Sequence, residues 1–330
     1  MTTLQTTPVP AHRPSWLRHP RQLALDNGVL IGFIVLVVAL SLATPYFLTT
    51  GNLLSILVQS APFVIMAVGE LVVVLVAGID LSVGAMAGLS GAVAAALMAQ
   101  LGLPWPLALL VALIATTAVG ALQGFVVNYL RVTDFIATLA GLSIVSSLTL
   151  IITQGNPIGI AADAFNAIGQ ARLLDVPAQV WLALCVVGGA WIWLARTASG
   201  QHIYAIGGNR VAAYRSGIRV RALRTGAYAF SGLCSGIAGI VFAAQLSSAD
   251  PNAGRGDELS AIAAVVIGGV SLFGGRGKVS GAVIGALLIA TILDALVLLN
   301  VPPYYTQLVQ GFVILLAVML DYLKRRDQAV

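Results

Sequence analysis

The chain alternates long apolar runs with short polar breaks. The runs cover roughly residues 28–47, 53–77, 81–100, 105–130, 134–152, 178–196, 225–247, 258–273, 279–299 and 304–321. A helix needs about 20 apolar residues to cross the hydrocarbon core, so the pattern predicts an all-α, polytopic membrane protein of ten spanning helices. Pro45, Gly51, Gly78, Pro104, Pro106, Pro157, Pro177, Pro251, Pro302 and Pro303 punctuate the runs. Residues 1–27 read as a polar tail rather than a cleavable signal peptide, because the basic region is long and no cleavage site follows it. The membrane domain then occupies 28–321, and 322–330 form a second short tail.

Composition leaves no other class open. Of 330 residues 59% are apolar and 9% charged, where soluble proteins carry roughly 25% charge. The mean hydropathy is +0.97. The net charge of +5 is explained by where the basic residues stand, not by a nucleic-acid partner. With ten spans both termini share one side. If that side is the cytoplasm, fifteen of the 17 basic residues lie inside and only Arg172 and Arg255 outside, a strong positive-inside bias.

Catalytic chemistry is not legible. His12, His19 and His202 share no region with a cysteine cluster or carboxylate pair, and Cys185 and Cys234 sit inside apolar runs, so neither a metal site nor a nucleophile–base pair is expected. Gly274-Gly275-Arg276-Gly277-Lys278 only imitates a phosphate loop, with Leu272 and Val279 where glycine and Ser/Thr belong. No cofactor is expected. Within the spans Glu70 and Asp294 are the clearly ionisable residues. Intramembrane acids are costly and count as functional candidates, although each could equally bond a neighbouring helix. Gln123, Asn128 and Thr138 are further candidates for a polar path or for interhelical hydrogen bonds.

Two features recur. Asp80-Leu81-Ser82 opens one small-residue run and Glu258-Leu259-Ser260 another, five spans later. The acid or serine at each helix start can accept bonds from free N–H groups. Their spacing suits an inverted five-plus-five repeat; the alternative is that two helix caps look alike by chance. Gly84, Gly88 and Gly91 share nearly one helix face, which suits close or sliding backbones.

The central loop, 197–224, carries five arginines and no acid. Within it Asn209 is placed to cap a short helix and Gly217 to end it in the left-handed conformation. Such a basic helix suits either lipid headgroups or a cytosolic partner.

Gly78-Ile79-Asp80-Leu81-Ser82-Val83-Gly84, Phe135-Ile136-Ala137-Thr138-Leu139, Gly208-Asn209 through Ser216-Gly217-Ile218, and the run from Glu258 to Gly277 resemble the permease subunits of ribose-type ABC sugar importers. The resemblance implies a bacterial inner-membrane subunit with cytoplasmic termini, no catalysis of its own, and a second permease copy beside it. It further implies a cytosolic ATP-binding subunit and an extracytoplasmic sugar-binding protein. Gly208, Asn209, Ala212, Ala213, Ser216 and Gly217 would form the coupling segment seated on the ATPase. Glu70, Asp80, Ser82, Gln123, Asn128, Thr138, Glu258, Ser260 and Asp294 are the candidate translocation path. The cargo would be a monosaccharide such as a pentose, hexose or inositol. An importer of a furanone or nucleoside, and an ion-coupled secondary transporter using Glu70 or Asp294, are the alternatives.

Overall fold

The computed structural model describes residues 28–306 and, beyond them, 308–313, 315 and 319. Among the described residues each apolar run becomes helical over at least part of its length because, away from water, only a helix satisfies the backbone within one segment. They are α1 (Gly28–Ala43), α2 (Thr50–Leu75), α3 (Val83–Leu101), α4 (Trp105–Asn128) and α5 (Asp134–Thr153). After a cap carrying β1 (Ile158–Gly159), α6 (Asp163–Gln170), β2 (Arg172–Leu173) and β3 (Val176–Pro177) come α7 (Ala178–Arg196), α8 (Ala198–Gly208), α9 (Arg210–Arg215) and α10 (Val220–Leu246). Then follow β4 (Ser248–Ala249), α11 (Asp257–Ile267), α12 (Val279–Leu298) and a 3-10 turn (Pro303–Tyr305).

Seven of these, α2, α3, α4, α5, α7, α10 and α12, are long and apolar enough to cross a membrane. The count of ten is thus reached only in part. The first run forms a helix of 16 residues, too short to count among the seven. The 258–273 run is mostly apolar to its end, yet its helix stops after 11 residues. There Gly269 turns left-handed (φ 81°) and the Val270 amide bonds back to the Val265 carbonyl, a glycine stop that apolar composition does not reveal. The final run lies largely outside the described residues, as do both tails.

The core sits where α2 and α10 cross, Gly69 against Ser231 and Cys234. Around this crossing α10 packs on α3 and α4, and α2 packs on α11 and α12. The outer helices α5 and α7 bury far less of themselves and carry Ile144, Ile151, Leu184 and Ile192 on open faces. Two ends are distinct. At one, β1 pairs antiparallel with β4, and α6 lies on the end of α10, Gln170 Nε2 donating to Ser247 Oγ at 2.7 Å. At the other stand α8 and α9.

Pro62 interrupts α2. It has no N–H for the Val58 carbonyl, and the Gln245 side chain of α10 donates to that carbonyl instead, at 3.2 Å. The same amide reaches Gln179 Oε1 on α7. A proline defect is thereby converted into a bond joining three helices.

On the glycine face of α3, Gly91 meets Gly239 and Ala243 of α10, but Gly84 and Gly88 receive a stretch of chain rather than a helix. After β4, residues 250–256 run back along α3, with Ala253 against Gly88 and Gly254 against Gly84. A Cβ on Gly88 would come within 2.8 Å of the Ala253 carbonyl oxygen, so main chain itself fills the glycine groove. Overpacking such a site costs about 1–3 kcal/mol. Gly88→Leu is expected to lower the unfolding midpoint in detergent accordingly, while Leu at the exposed Gly32 leaves it in place. Equal midpoints would show that 250–256 does not occupy the groove.

Candidate functional site

Two arrangements stand out. The first is the helical lobe between α7 and α10. Thr197 caps α8 by accepting from the Gly200 amide at 3.1 Å. Asn209 caps α9, its Oδ1 accepting from the Ala212 amide at 2.9 Å. Ser216 Oγ donates to the Ala212 carbonyl at 3.0 Å. Gly217, at φ 82°, closes α9, with the Ile218 amide bonded to the Ala213 carbonyl. Ala213 is buried, whereas Gly208, Asn209, Arg210, Val211, Ala212, Tyr214, Arg215, Ser216 and Gly217 are exposed. The lobe presents two arginines flanking an aliphatic and an aromatic side chain.

The lobe is joined firmly to the bundle. The Gly275 amide donates to the Leu75 carbonyl at 2.9 Å, and a Cβ on Gly207 would overlap both groups. The Tyr204 hydroxyl donates to the Gly277 carbonyl at 3.2 Å. Burial there pushes the Tyr204 phenol above its ordinary value, so it remains a donor throughout the physiological range.

The second arrangement is a buried polar network beside the end of α2. The chain turns at Val76–Gly78 and runs back along α2, so that the Asp80 amide reaches Glu70 Oε1 at 3.3 Å. Asp80 Oδ1 accepts from the Ser82 amide at 2.9 Å and the Ser82 hydroxyl at 2.6 Å. Its Oδ2 accepts from Ser231 Oγ at 2.9 Å, and the Tyr228 hydroxyl donates to the Ile79 carbonyl at 3.4 Å. Ser82 Oγ also lies 2.9 Å from Gln123 Oε1 on α4. Glu70 Oε2 and Gln123 Nε2 are buried without a partner. Asp80 therefore holds the amide and hydroxyl of Ser82, the residue before α3, whose own side chain does not cap that helix.

Arg224 underlies this network. It is buried and donates from Nε to the Val76 carbonyl at 3.2 Å and from Nη2 to the Ala77 carbonyl at 3.2 Å. Its Nη1 donates to Asn128 Oδ1 at 2.7 Å. The two carbonyls stand at the negative end of the α2 dipole, where a cation is favoured.

The nine path candidates fall in separate places. Glu70, Asp80, Ser82 and Gln123 meet in one network, and Asn128 joins it through Arg224. Thr138 is buried and bonds only back to the Asp134 carbonyl of its own helix, at 2.9 Å. Glu258 accepts from the Gly256 amide through both oxygens, at 3.2 and 3.1 Å, beside the Gly84–Gly254 crossing. Unlike Asp80 it lies inside its helix, in the first turn of α11. Ser260 Oγ accepts from Gln310 at 3.1 Å. Asp294 lies toward the capped end, accepting from Asn52 Nδ2 at 3.0 Å.

Arg224, Tyr228 and Ser231 are absent from the candidates read from sequence. Their signal was present: polar residues at 224, 228, 231 and 235 recur at helical spacing along an otherwise apolar stretch, the mark of one polar stripe.

A bundle of apolar helices with a buried polar network and an exposed basic lobe has the build of a multi-pass membrane permease. Residues 52–318 match the family described as "Branched-chain amino acid transport system / permease component", and the chain belongs to that family. It is 43% identical to the ribose import permease of Escherichia coli, over 91% of this chain and 95% of that one. The D-allose transport system permease of the same organism is 42% identical over 86% of this chain and 87% of its own length. Its xylose transport system permease is 35% identical over 85% and 87%. No solved structure gives a significant match.

The network generates a graded expectation. Asp80→Ala strands the donors of Ser82 and Ser231, and a buried unsatisfied group costs about 1–3 kcal/mol. Ser231→Ala removes one donor and leaves Asp80 with its other bonds, for about 1 kcal/mol or less. Unfolding of the detergent-solubilised chain should rank wild type above Ser231→Ala above Asp80→Ala. The reverse order would contradict the bonding described.

Proposed function

We propose that the chain is the membrane subunit of an ATP-driven monosaccharide importer, forming the passage while a separate subunit hydrolyses ATP. Identity to ribose, D-allose and xylose permeases across nearly their whole lengths carries this reading. The nature of the lobe supports it: a capped helix with exposed Arg210, Val211, Tyr214 and Arg215 is a shape for seating in a protein cleft. Gly208, Asn209, Ala212, Ala213, Ser216 and Gly217 form the coupling segment, Ala213 anchoring it and the others facing the ATPase.

The lobe and both tails lie in the cytoplasm, as the sorting of basic residues favours, in the inner membrane of a bacterium. Residues 28–321 are the membrane domain, with 1–27 and 322–330 as tails. Two halves of five spans are related by an inverted repeat. The exchange of partners supports this: α10 packs on α3 and α4 as α2 packs on α11 and α12. A second copy completes the passage, and an extracytoplasmic binding protein delivers the sugar. Because the nine polar candidates are largely bonded within the chain, they act in the passage by holding its helices rather than by gripping sugar tightly.

The coupling segment is tested by Gly217→Val. A β-branched residue in the left-handed region costs about 1–2 kcal/mol and disturbs the end of α9. In vesicles containing the chain, its ATPase and the binding protein, uptake should fall while the assembled complex persists. Undiminished uptake and sugar-stimulated ATPase would refute the docking role. Uptake by the lone chain on an ion gradient, without ATP, would establish the secondary-transporter alternative instead.

A further inference from the structure

We propose that Arg224 is a positioning residue through which the lobe sets the reversal at Val76–Ser82, and with it the start of α3, during transport. The inference rests on the importer reading above and goes beyond it by naming the linkage inside the membrane domain.

The argument begins with connectivity. Arg224 lies in the first turns of α10, seven positions after Gly217, so its guanidinium moves with the lobe that the partner would grip. Its three bonds all leave α10. Two end on the carbonyls of Val76 and Ala77, just past the end of α2, and one on the Asn128 amide at the end of α4. Asn128 is itself held, its Nδ2 donating to the Gly124 carbonyl at 2.7 Å. A guanidinium presents these donors in a rigid plane, so it transmits direction as well as attraction.

The same face of α10 then follows the reversal residue by residue. Arg224 takes the Val76 and Ala77 carbonyls, Tyr228 takes that of Ile79, and Ser231 takes the Asp80 carboxylate. A Cβ on Gly78 would lie 2.7 Å from the Tyr228 hydroxyl, so the segment is held close along its length. On the other flank of the lobe, Gly207 is packed against the Leu75 carbonyl and the Gly275 amide that bonds it. Both ends of the lobe therefore grip the same few residues at the end of α2. Any displacement of α9 is delivered there.

Stability alone is a poor reason for such a residue. A buried guanidinium loses its hydration, and its partners here are two carbonyls and an amide rather than a carboxylate, so an apolar side chain of similar volume would be the less costly filling. What only the planar cation supplies is a directed, three-way link.

The test uses the complete importer in vesicles, with the ATPase subunit and the binding protein, and reads sugar moved per ATP hydrolysed. Arg224→Gln is expected to assemble and hydrolyse ATP but to lower that ratio by about fivefold or more. Arg224→Lys, which keeps the charge without the fork, should recover part of it. Where Arg224→Gln fails to assemble, Asn128→Ala removes one of the three partners and should lower the ratio in the same direction. The inference is overturned if uptake and hydrolysis decline in proportion to the amount of assembled complex, leaving the ratio unchanged in these variants. A wild-type complex that hydrolyses ATP without moving sugar overturns the importer reading, and the inference with it.

Discussion

The structure depends on one constraint: the main chain turns back at Val76–Ser82 with only Ala77 exposed, while Val76, Gly78, Asp80 and Ser82 are buried in the apolar bundle, out of reach of water. In such a setting non-helical backbone survives only when other parts of the protein bond to it. Here Arg224 and Tyr228 take the carbonyls, Asp80 takes the amide and hydroxyl of Ser82, and Ser231 ties that carboxylate to α10. Remove that matched set and the reversal has no reason to stay folded. Because three of its members lie on one helix, the place where the chain turns is also the place where α10 has most purchase on α2 and α3.

The same logic governs the rest of the interior. Pro62 leaves a carbonyl open and Gln245 closes it. Gly84 and Gly88 of α3 leave room, and the returning segment 250–256 fills it. In lipid the helices gain little from hiding apolar surface from water, so close backbone approach and directed polar bonds hold them together. These are contacts with definite geometry, able to pass movement from one element to the next. An exposed lobe connected to them is a natural point at which a partner can act.

Much of this was legible before the structure. The runs marked seven long spans within a few residues, Asn209 and Gly217 marked the start and end of α9, and the glycine spacing on α3 marked a close approach. The shortness of α11 was hidden because Val270, Leu272 and Phe273 keep the run apolar after the helix has stopped at glycine. In sequence Arg224 reads as one of the basic residues of the loop, since charge near a span boundary usually stays in the headgroups. Only its register with Tyr228 and Ser231 distinguished it. Polar residues in a span show that a bond must be made but not with whom. Glu70, Asp80, Ser82 and Gln123 therefore gave no sign of meeting in one network, nor Asp294 of lying apart from them.

Hydrogen–deuterium exchange of the chain in lipid vesicles tests the central claim most directly, by comparing the peptide over 76–84 with that over 209–217. Protection reports how often a segment opens. The bonded reversal should exchange at least about 100-fold more slowly than the exposed lobe, a difference of roughly 2.7 kcal/mol in opening free energy. Exchange of both segments at the same rapid rate would mean that 76–82 is an ordinary surface loop, not held in the way described.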